Sequence, residues 1–169
     1  MPGLPAPLRQ LAWKALKRSI RRKFPQVQQI DSAALAAELQ QRQDIQQKPE
    51  QKTGQKPVLL DVRSPEEYAV SHLPDAHQIS PATKDFSSLP YSPDTPIVCY
   101  CSVGYRSAQL CDRLQAAGYQ HVRNLEGSIF EWVNQGYPVY RNGEVVRSVH
   151  PYNAQWGLLL ERSKERSPG

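Results

Sequence analysis

Short apolar runs alternate with amphipathic helical patterns through the middle of the chain. The helical patterns cover residues 33–39, begin again at residue 65, cover residues 105–117 and include residues 129–133. Strands that alternate with helices form a parallel sheet with helices on both faces, so the pattern predicts an α/β fold of three layers. Five segments are predicted as the strands of a central parallel sheet: residues 27–30, 58–62, 77–80, 97–101 and 122–124.

The rest of the chain flanks or interrupts this pattern. Residues 1–25 form a predicted basic amphipathic helix, residues 26–140 the α/β domain, and residues 141–169 a C-terminal tail that folds back through Tyr152 and Trp156. Within the domain, residues 40–56 are mostly Gln, Lys, Glu, Asp and Pro, with Ile45 the only large apolar residue. Because such a segment buries little apolar surface, it is predicted to be a mobile loop.

Positive charge is concentrated at the N-terminus. Residues before Pro25 contain seven of the 21 Lys and Arg and none of the 16 Asp and Glu, so the remaining residues have a net charge of −2. The basic helix could pack its apolar face on the domain, contact a membrane surface or a protein through residues 8–24, or act as an organellar targeting segment. Nucleic-acid binding is disfavoured, because the domain itself is not basic and has no module of stacking aromatic residues.

The cysteines and histidines limit the setting and the chemistry. Three cysteines without paired spacing, and no apolar run as long as a membrane span, predict a soluble protein in a reducing, cytoplasmic compartment. His72 and His77 have no partners at metal-ligand spacing, so no metal site is predicted. Cys99 and Cys111 lie in apolar patterns and are predicted to be buried core residues.

Cys101 is different, because it ends the fourth predicted strand where a short Gly-containing loop enters a helix. The carboxyl edge of a parallel sheet is where ligands bind, and the helix start offers unpaired backbone N–H groups. These amides and the guanidinium of Arg106 favour an anionic sulfur, so they lower the pKa of the Cys101 thiol. The placement therefore predicts a reactive thiolate.

Four segments, in order, resemble the signatures of one family, the rhodanese-like sulfurtransferases. Residues 59–68 (Leu-Leu-Asp-Val-Arg-Ser-Pro-Glu-Glu-Tyr) and 71–76 (Ser-His-Leu-Pro-Asp-Ala) are similar to its first signature and the segment that follows. Residues 101–107 resemble its active-site loop, and residues 125–132 its closing Gly and Trp element. The resemblance covers about residues 29–139, with Ser71 and Asp75 at positions where the family usually has glycine.

The resemblance implies sulfur transfer through a cysteine persulfide, with Cys101 as the catalytic residue. The donor would be thiosulfate or a protein persulfide, the acceptor a thiol or cyanide, and no metal or organic cofactor is called for. Asp61 and Arg63 would support the site, more through hydrogen bonds and an ion pair than as catalysts. The substrate would be held by the six loop residues Ser102, Val103, Gly104, Tyr105, Arg106 and Ser107.

Two other functions remain open at this point. Phosphatases and arsenate reductases resemble this fold, but their loops place one residue more between Cys and Arg than the four between Cys101 and Arg106. The tighter ring suits sulfur better than a tetrahedral phosphate. A non-catalytic rhodanese-like docking or regulatory module is the other alternative, although inactive members often lack the cysteine that this chain retains.

Overall fold

The structure is a computed structural model that describes residues 4–45 and 56–161, without the side chains of residues 41–45. The main elements are, in chain order, α1 (Ala6–Lys23), β1 (Gln28–Ile30), α2 (Ser32–Ile45), β2 (Val58–Asp61), α3 (Pro65–Val70), β3 (His77–Gln78), β4 (Ile97–Tyr100), α4 (Tyr105–Ala116), β5 (Val122–Leu125) and α5 (Ser128–Asn134). The tail adds β6 (Val139–Arg141), β7 (Glu144–Val146) and α6 (Ala154–Gly157).

A five-stranded parallel sheet lies at the centre of the fold, in the order β1-β5-β4-β2-β3. The predicted three-layer α/β fold is therefore confirmed. The central strand β4 is buried along its whole length, which explains why residues Ile97 to Tyr100 are continuously apolar. The carboxyl ends of β2, β4 and β5 meet at one edge of the sheet.

Alternate residues of β4 contribute to two separate cores, one on each face of the sheet. Val98 and Tyr100 belong to the core that includes α2 and α5, whereas Ile97 and Cys99 belong to the core covered by α4. The N-terminal helix α1 contributes to both cores through three buried residues: Trp13, Ile20 and Phe24, the last directly after the helix. Its apolar face thus packs on the domain.

The structure differs from the predictions in two regions. The predicted loop 40–56 is wrong at its start, because α2 continues to Ile45 through Gln, Arg and Asp residues, several of which favour helix. The rest of that segment, residues 46–55, lies outside the described residues, as does the predicted frayed end, 162–169. The hairpin of β6 and β7 was not predicted. None of the helices in residues 4–45 and 56–161 is both long and apolar enough to cross a membrane.

Candidate active site

The loop between β4 and α4 holds the sulfur of Cys101 against its own backbone. Gly104 has a left-handed conformation with φ of 107°, which favours glycine, and its N–H donates to Cys101 Sγ at 3.1 Å. The carbonyl oxygen of Gly104, in the next peptide group, accepts a bond from Asn124 Nδ2 at 3.2 Å, so the neighbouring strand β5 holds Gly104 from its other side. The loop therefore directs a dipole at the sulfur.

Two serine hydroxyls complete the surroundings of Cys101. Ser107 Oγ donates to Sγ at 3.5 Å, and the backbone N–H of Cys101 donates to Ser128 Oγ at 3.0 Å. Burial opposes ionisation of the thiol, but the positive charge of Arg106 and the bonds from Ser107 and Gly104 outweigh it, so the pKa of Cys101 lies below its ordinary value. The site thus favours the thiolate.

The other two cysteines are buried without such a setting. Cys99 and Cys111 have no exposed surface and are core residues on the α4 side of the sheet. Burial and the neighbouring Cys99 raise the pKa of the Cys111 thiol well above its ordinary value. Cys101 and Cys111 are both buried, yet the pKa of Cys101 is lowered and that of Cys111 is raised, because the bonds from the loop and the charge of Arg106 act on Cys101.

The charge of Arg106 is shared with a buried carboxylate, Glu67. Arg106 Nη1 and Nη2 each donate to the Glu67 carboxylate at 2.9 Å, and Nη2 also donates to Ser102 Oγ at 2.9 Å. Ser102 Oγ in turn donates to Glu67 at 2.9 Å. Burial raises the pKa of Glu67. The hydrogen bonds from Arg106, from the N–H of Ser64 and from the hydroxyl of Ser102 outweigh burial and lower this pKa to about 2. The pair is ionised at neutral pH.

A second arginine pair lies at the end of β2. Asp61 and Arg63 have fully buried side chains and form an ion pair at 2.6 Å. Arg63 Nη2 also donates to the carbonyl oxygen of Ser71 at 2.6 Å, and Tyr100 Oη donates to Asp61 at 2.7 Å. Since Tyr100 directly precedes Cys101, this pair connects β2 to the start of the loop.

A pocket of about 210 Å³ opens over the loop. Only 1% of Cys101 is exposed, so its sulfur lies at the floor of the pocket rather than on the surface. The walls come from two parts of the chain, the loop and the tail: Cys101, Ser102, Val103, Tyr105 and Arg106, together with Tyr152 and Trp156.

The structure brings the predicted loop residues together, with Gly104 and Ser107 at the sulfur and the others at the pocket. Sequence analysis missed Glu67 and Ser128. Ser128 could have been found, because it follows β5 at the same carboxyl edge of the sheet. Glu67 was missed because its position in the sequence is already explained by the capping box that it forms with Ser64 at the start of α3.

The N-terminal helix lies beside this loop. The ring of Phe24 meets the ring of Tyr105 edge to face at 5.6 Å, and Lys23 Nζ lies 5.2 Å from the centre of the same ring. The structure also shows the surroundings of one of the two histidines considered above.

His72 stacks on the ring of Tyr68. Within the part of the chain that the structure describes, no three metal-ligating side chains come together as a metal site.

Comparison with known proteins agrees with this geometry. A family model described as the rhodanese-like domain matches residues 35–135. The chain belongs to the rhodanese-like family. The pocket-lining residues Tyr152 and Trp156 lie outside the range that the rhodanese-like model matches.

Individual relatives of this rhodanese-like protein include sulfurtransferases. A sulfurtransferase of Allochromatium vinosum is 33% identical over 113 residues, which are 67% of this chain and 94% of that protein. A probable adenylyltransferase/sulfurtransferase of Mycobacterium tuberculosis is 33% identical over 91 residues, 51% of this chain but 22% of that protein. Thiosulfate sulfurtransferase from Pseudomonas aeruginosa shares the fold, with a TM-score of 0.58 at 19% identity over 78% of this chain and 23% of that one.

Proposed function

We propose that this protein transfers sulfane sulfur from thiosulfate or a persulfide donor to a thiol or cyanide, with Cys101 as the carrier. The observation that supports this most is the sulfur of Cys101, which lies at the floor of a pocket and accepts bonds from Gly104 N–H and Ser107 Oγ. These donors favour a thiolate, the nucleophilic form of cysteine. Membership of a family that contains sulfurtransferases supports the same reaction.

The proposed reaction has two displacements. In the first, the Cys101 thiolate attacks the outer sulfur of the donor, so that a new S–S bond forms while the donor's bond to that sulfur breaks. The electron pair leaves with sulfite or, for a persulfide donor, with the donor thiolate. In the second, the acceptor thiolate or cyanide attacks the outer sulfur of the Cys101 persulfide. The S–S bond breaks, and Cys101 is released as a thiolate. Neither displacement requires an oxidant, a reductant or a cofactor.

Loop groups would stabilise the negative charge that moves from sulfur to sulfur. Gly104 N–H and Ser107 Oγ already donate to Sγ, so they are placed to follow the charge onto the persulfide. We propose a supporting role for Asp61 and Arg63, which hold Tyr100 in place directly before Cys101. The pair acts through position, because neither side chain is exposed.

The hydrogen bonds of Arg106 disfavour a phosphatase function. In a phosphatase this arginine would bind phosphate oxygens, whereas here its two terminal nitrogens donate to Glu67 and Ser102. A phosphate dianion would have to displace a buried carboxylate from its partner. We therefore expect no phosphatase activity with aryl phosphates.

The experiment is a transfer assay with single cysteine variants. Thiosulfate and an organic persulfide are tested as donors to cyanide, with thiocyanate formation as the readout. We expect turnover in the wild type, Cys99→Ser and Cys111→Ser, and a loss of at least about 1,000-fold in Cys101→Ser. Turnover in Cys101→Ser would contradict the proposal. Absence of turnover in all four proteins would support the non-catalytic docking module.

We also propose that the outward side of residues 8–24, opposite the buried Trp13, Ile20 and Phe24, contacts an anionic membrane surface. The outward side of α1 carries Leu8 and Leu11, which are 53% and 64% exposed, and the basic residues Lys14, Arg18 and Arg22 follow on the same side. Cosedimentation with phosphatidylserine vesicles tests this. Binding should be lost in Leu11→Glu and retained in the control Val145→Glu, and equal binding of both variants would contradict it.

A further inference from the structure

The second wall of the pocket belongs to a C-terminal segment, residues 149–160, that is anchored at both ends. Val149 is buried at its start, and Leu159 and Leu160 are buried at its end. Asn134 holds that end from α5, since its Nδ2 donates to Leu159 O at 2.8 Å and its Oδ1 accepts from Glu161 N at 2.9 Å. The segment between the anchors contributes Tyr152 and Trp156 to the pocket.

The backbone of this segment is shaped to present Tyr152 to the loop. Tyr152 has a left-handed conformation with φ of 63°, which is unfavourable for a bulky residue. Its N–H donates to His150 Nδ1 at 3.0 Å, and Asn153 caps α6 through the N–H of Trp156 at 2.9 Å. Gly157 packs so closely on Pro151 that an added Cβ would lie 3.1 Å from the Pro151 Cβ. Several local interactions thus maintain an otherwise costly geometry.

The ring of Tyr152 lies against the guanidinium of Arg106 at the pocket. The Arg106 guanidinium carbon lies 4.7 Å from the centre of the Tyr152 ring, while its nitrogens bind Glu67 and Ser102. Tyr152 is itself 46% exposed, so its other surface is available to a ligand. Trp156 stands beside it, partly packed against the core.

The charges of the pocket disfavour a small dianion. Of the described residues that line it, Arg106 is the only cation, and its charge is balanced by Glu67 at 2.9 Å. Lys23 lies over the ring of Tyr105, outside the lining. Thiosulfate would therefore lose its hydration without meeting an unpaired positive charge, which is costly. An uncharged organic group would instead bury apolar surface against Val103, Tyr105, Tyr152 and Trp156.

We propose that Tyr152 and Trp156 form an aromatic subsite for the organic group of a small persulfide, so that the enzyme prefers low-molecular-weight organic persulfides to thiosulfate. This inference rests on the proposed sulfur transfer. A pocket of about 210 Å³ suits a compact organic group, because it is smaller than the usual small-molecule site of about 300–1,000 Å³. The reaction is R–S–SH plus the Cys101 thiolate, giving the Cys101 persulfide and R–S⁻, with the transferred sulfur keeping its proton.

The test measures how fast one sulfur is loaded onto Cys101 from benzyl persulfide, which has an uncharged organic group, and from thiosulfate, under single turnover and without an acceptor. The wild type should load faster from benzyl persulfide. Tyr152→Ala should lower the ratio of the two rate constants about 3- to 10-fold, because the aromatic contact stabilises only the organic donor. Tyr152→Phe, which keeps the ring, should restore most of that ratio. Trp156→Leu should lower it in the same direction.

Val145→Ala serves as the matched control, since Val145 is a 63% exposed apolar residue outside this pocket. An unchanged ratio in Tyr152→Ala and Trp156→Leu, with thermal unfolding like that of the wild type, would overturn the subsite. Equally faster loading from both donors in these two variants would also overturn the subsite, because residues 149–160 would then only obstruct access to Cys101. If neither donor loads Cys101 in any protein, sulfur transfer itself fails, and the subsite fails with it.

Discussion

Two arginine–carboxylate pairs lie close to Cys101, and they differ in burial. The side chains of Asp61 and Arg63 are fully buried, whereas Arg106 is 24% exposed at the pocket and its partner Glu67 is 4% exposed. The first pair bonds to Tyr100 and to a backbone carbonyl, and the second to Ser102 and the Tyr152 ring. The sealed pair can therefore only hold structure, while the open pair can also influence the charge on the sulfur of Cys101.

The largest expected effect is on stability, from breaking the sealed pair. Asp61→Asn leaves the charge of Arg63 buried without a counter-charge, which costs about 3–5 kcal/mol of unfolding free energy. The exposed pair of Lys56 and Asp75 gives the control, Asp75→Asn, with an expected cost below about 1 kcal/mol. Urea unfolding measures both. A similar small cost for the two variants would remove the distinction between buried and surface pairs.

The second largest expected effect is a loss of stability at acid pH, when Glu67 becomes protonated. Its pKa is lowered to about 2 in the folded protein from an ordinary 4.5, so the stabilisation is complete above about pH 4.5 and is lost as the pH falls towards 2. The shift corresponds to about 3 kcal/mol at neutral pH. Unfolding free energies measured between pH 6 and pH 3 should fall less steeply in Glu67→Gln than in the wild type. Equal slopes would show that Glu67 does not carry this effect.

Glu67→Gln should also separate the two pairs by their chemistry. The substitution removes a negative charge beside Arg106 and keeps a side chain of the same shape, at an expected cost of about 2 kcal/mol in stability. Because Arg106 is then unbalanced, the pKa of Cys101 should fall further and alkylation by iodoacetamide at pH 6 should accelerate. Asp61→Asn should leave the alkylation profile of its folded fraction unchanged. Acceleration in both variants would contradict the comparison.

The smallest expected effect comes from one hydroxyl at the sulfur. Ser107→Ala removes a 3.5 Å contact to Cys101 Sγ, worth about 1 kcal/mol, so sulfur loading should slow about fivefold. Rate constants for loading from cysteine persulfide measure this. The control is Ser87→Ala, because Ser87 is exposed and does not line the pocket. No change in Ser107→Ala would mean that the loop backbone alone stabilises the thiolate.

The sheet and the loop were predictable because their signals are local. Residues 97–101 are continuously apolar and end at Cys101, and Gly104 follows three positions later, so both the buried strand and the turn after it could be found from neighbouring positions. The hairpin could also have been found, because Asn142 and Gly143 form a two-residue turn with positive φ that favours a tight hairpin. The two residues next to the turn, Arg141 and Glu144, are charged and each strand is three residues long, which weakened the signal.

The contacts that set the charge of the pocket could not be predicted in the same way. Glu67 and Arg106 are 39 positions apart, and only the folded sheet brings α3 and α4 together. The approach of Tyr152 to Arg106 likewise depends on how the tail packs, since residues 141–157 contain few apolar positions that would fix its path. Sequence analysis thus proposed Cys101 as the candidate nucleophile but did not predict the balance of charges around it.

The most direct test of the account is the mass of the protein after treatment with a sulfur donor. Wild type, Cys101→Ser and the double variant Cys99→Ser/Cys111→Ser are each incubated with cysteine persulfide, freed of donor and analysed intact. We expect one added sulfur, about 32 Da, on the wild type and the double variant, none on Cys101→Ser, and its removal by cyanide. An adduct that persists in Cys101→Ser, or no adduct on any of the three proteins, would contradict the account.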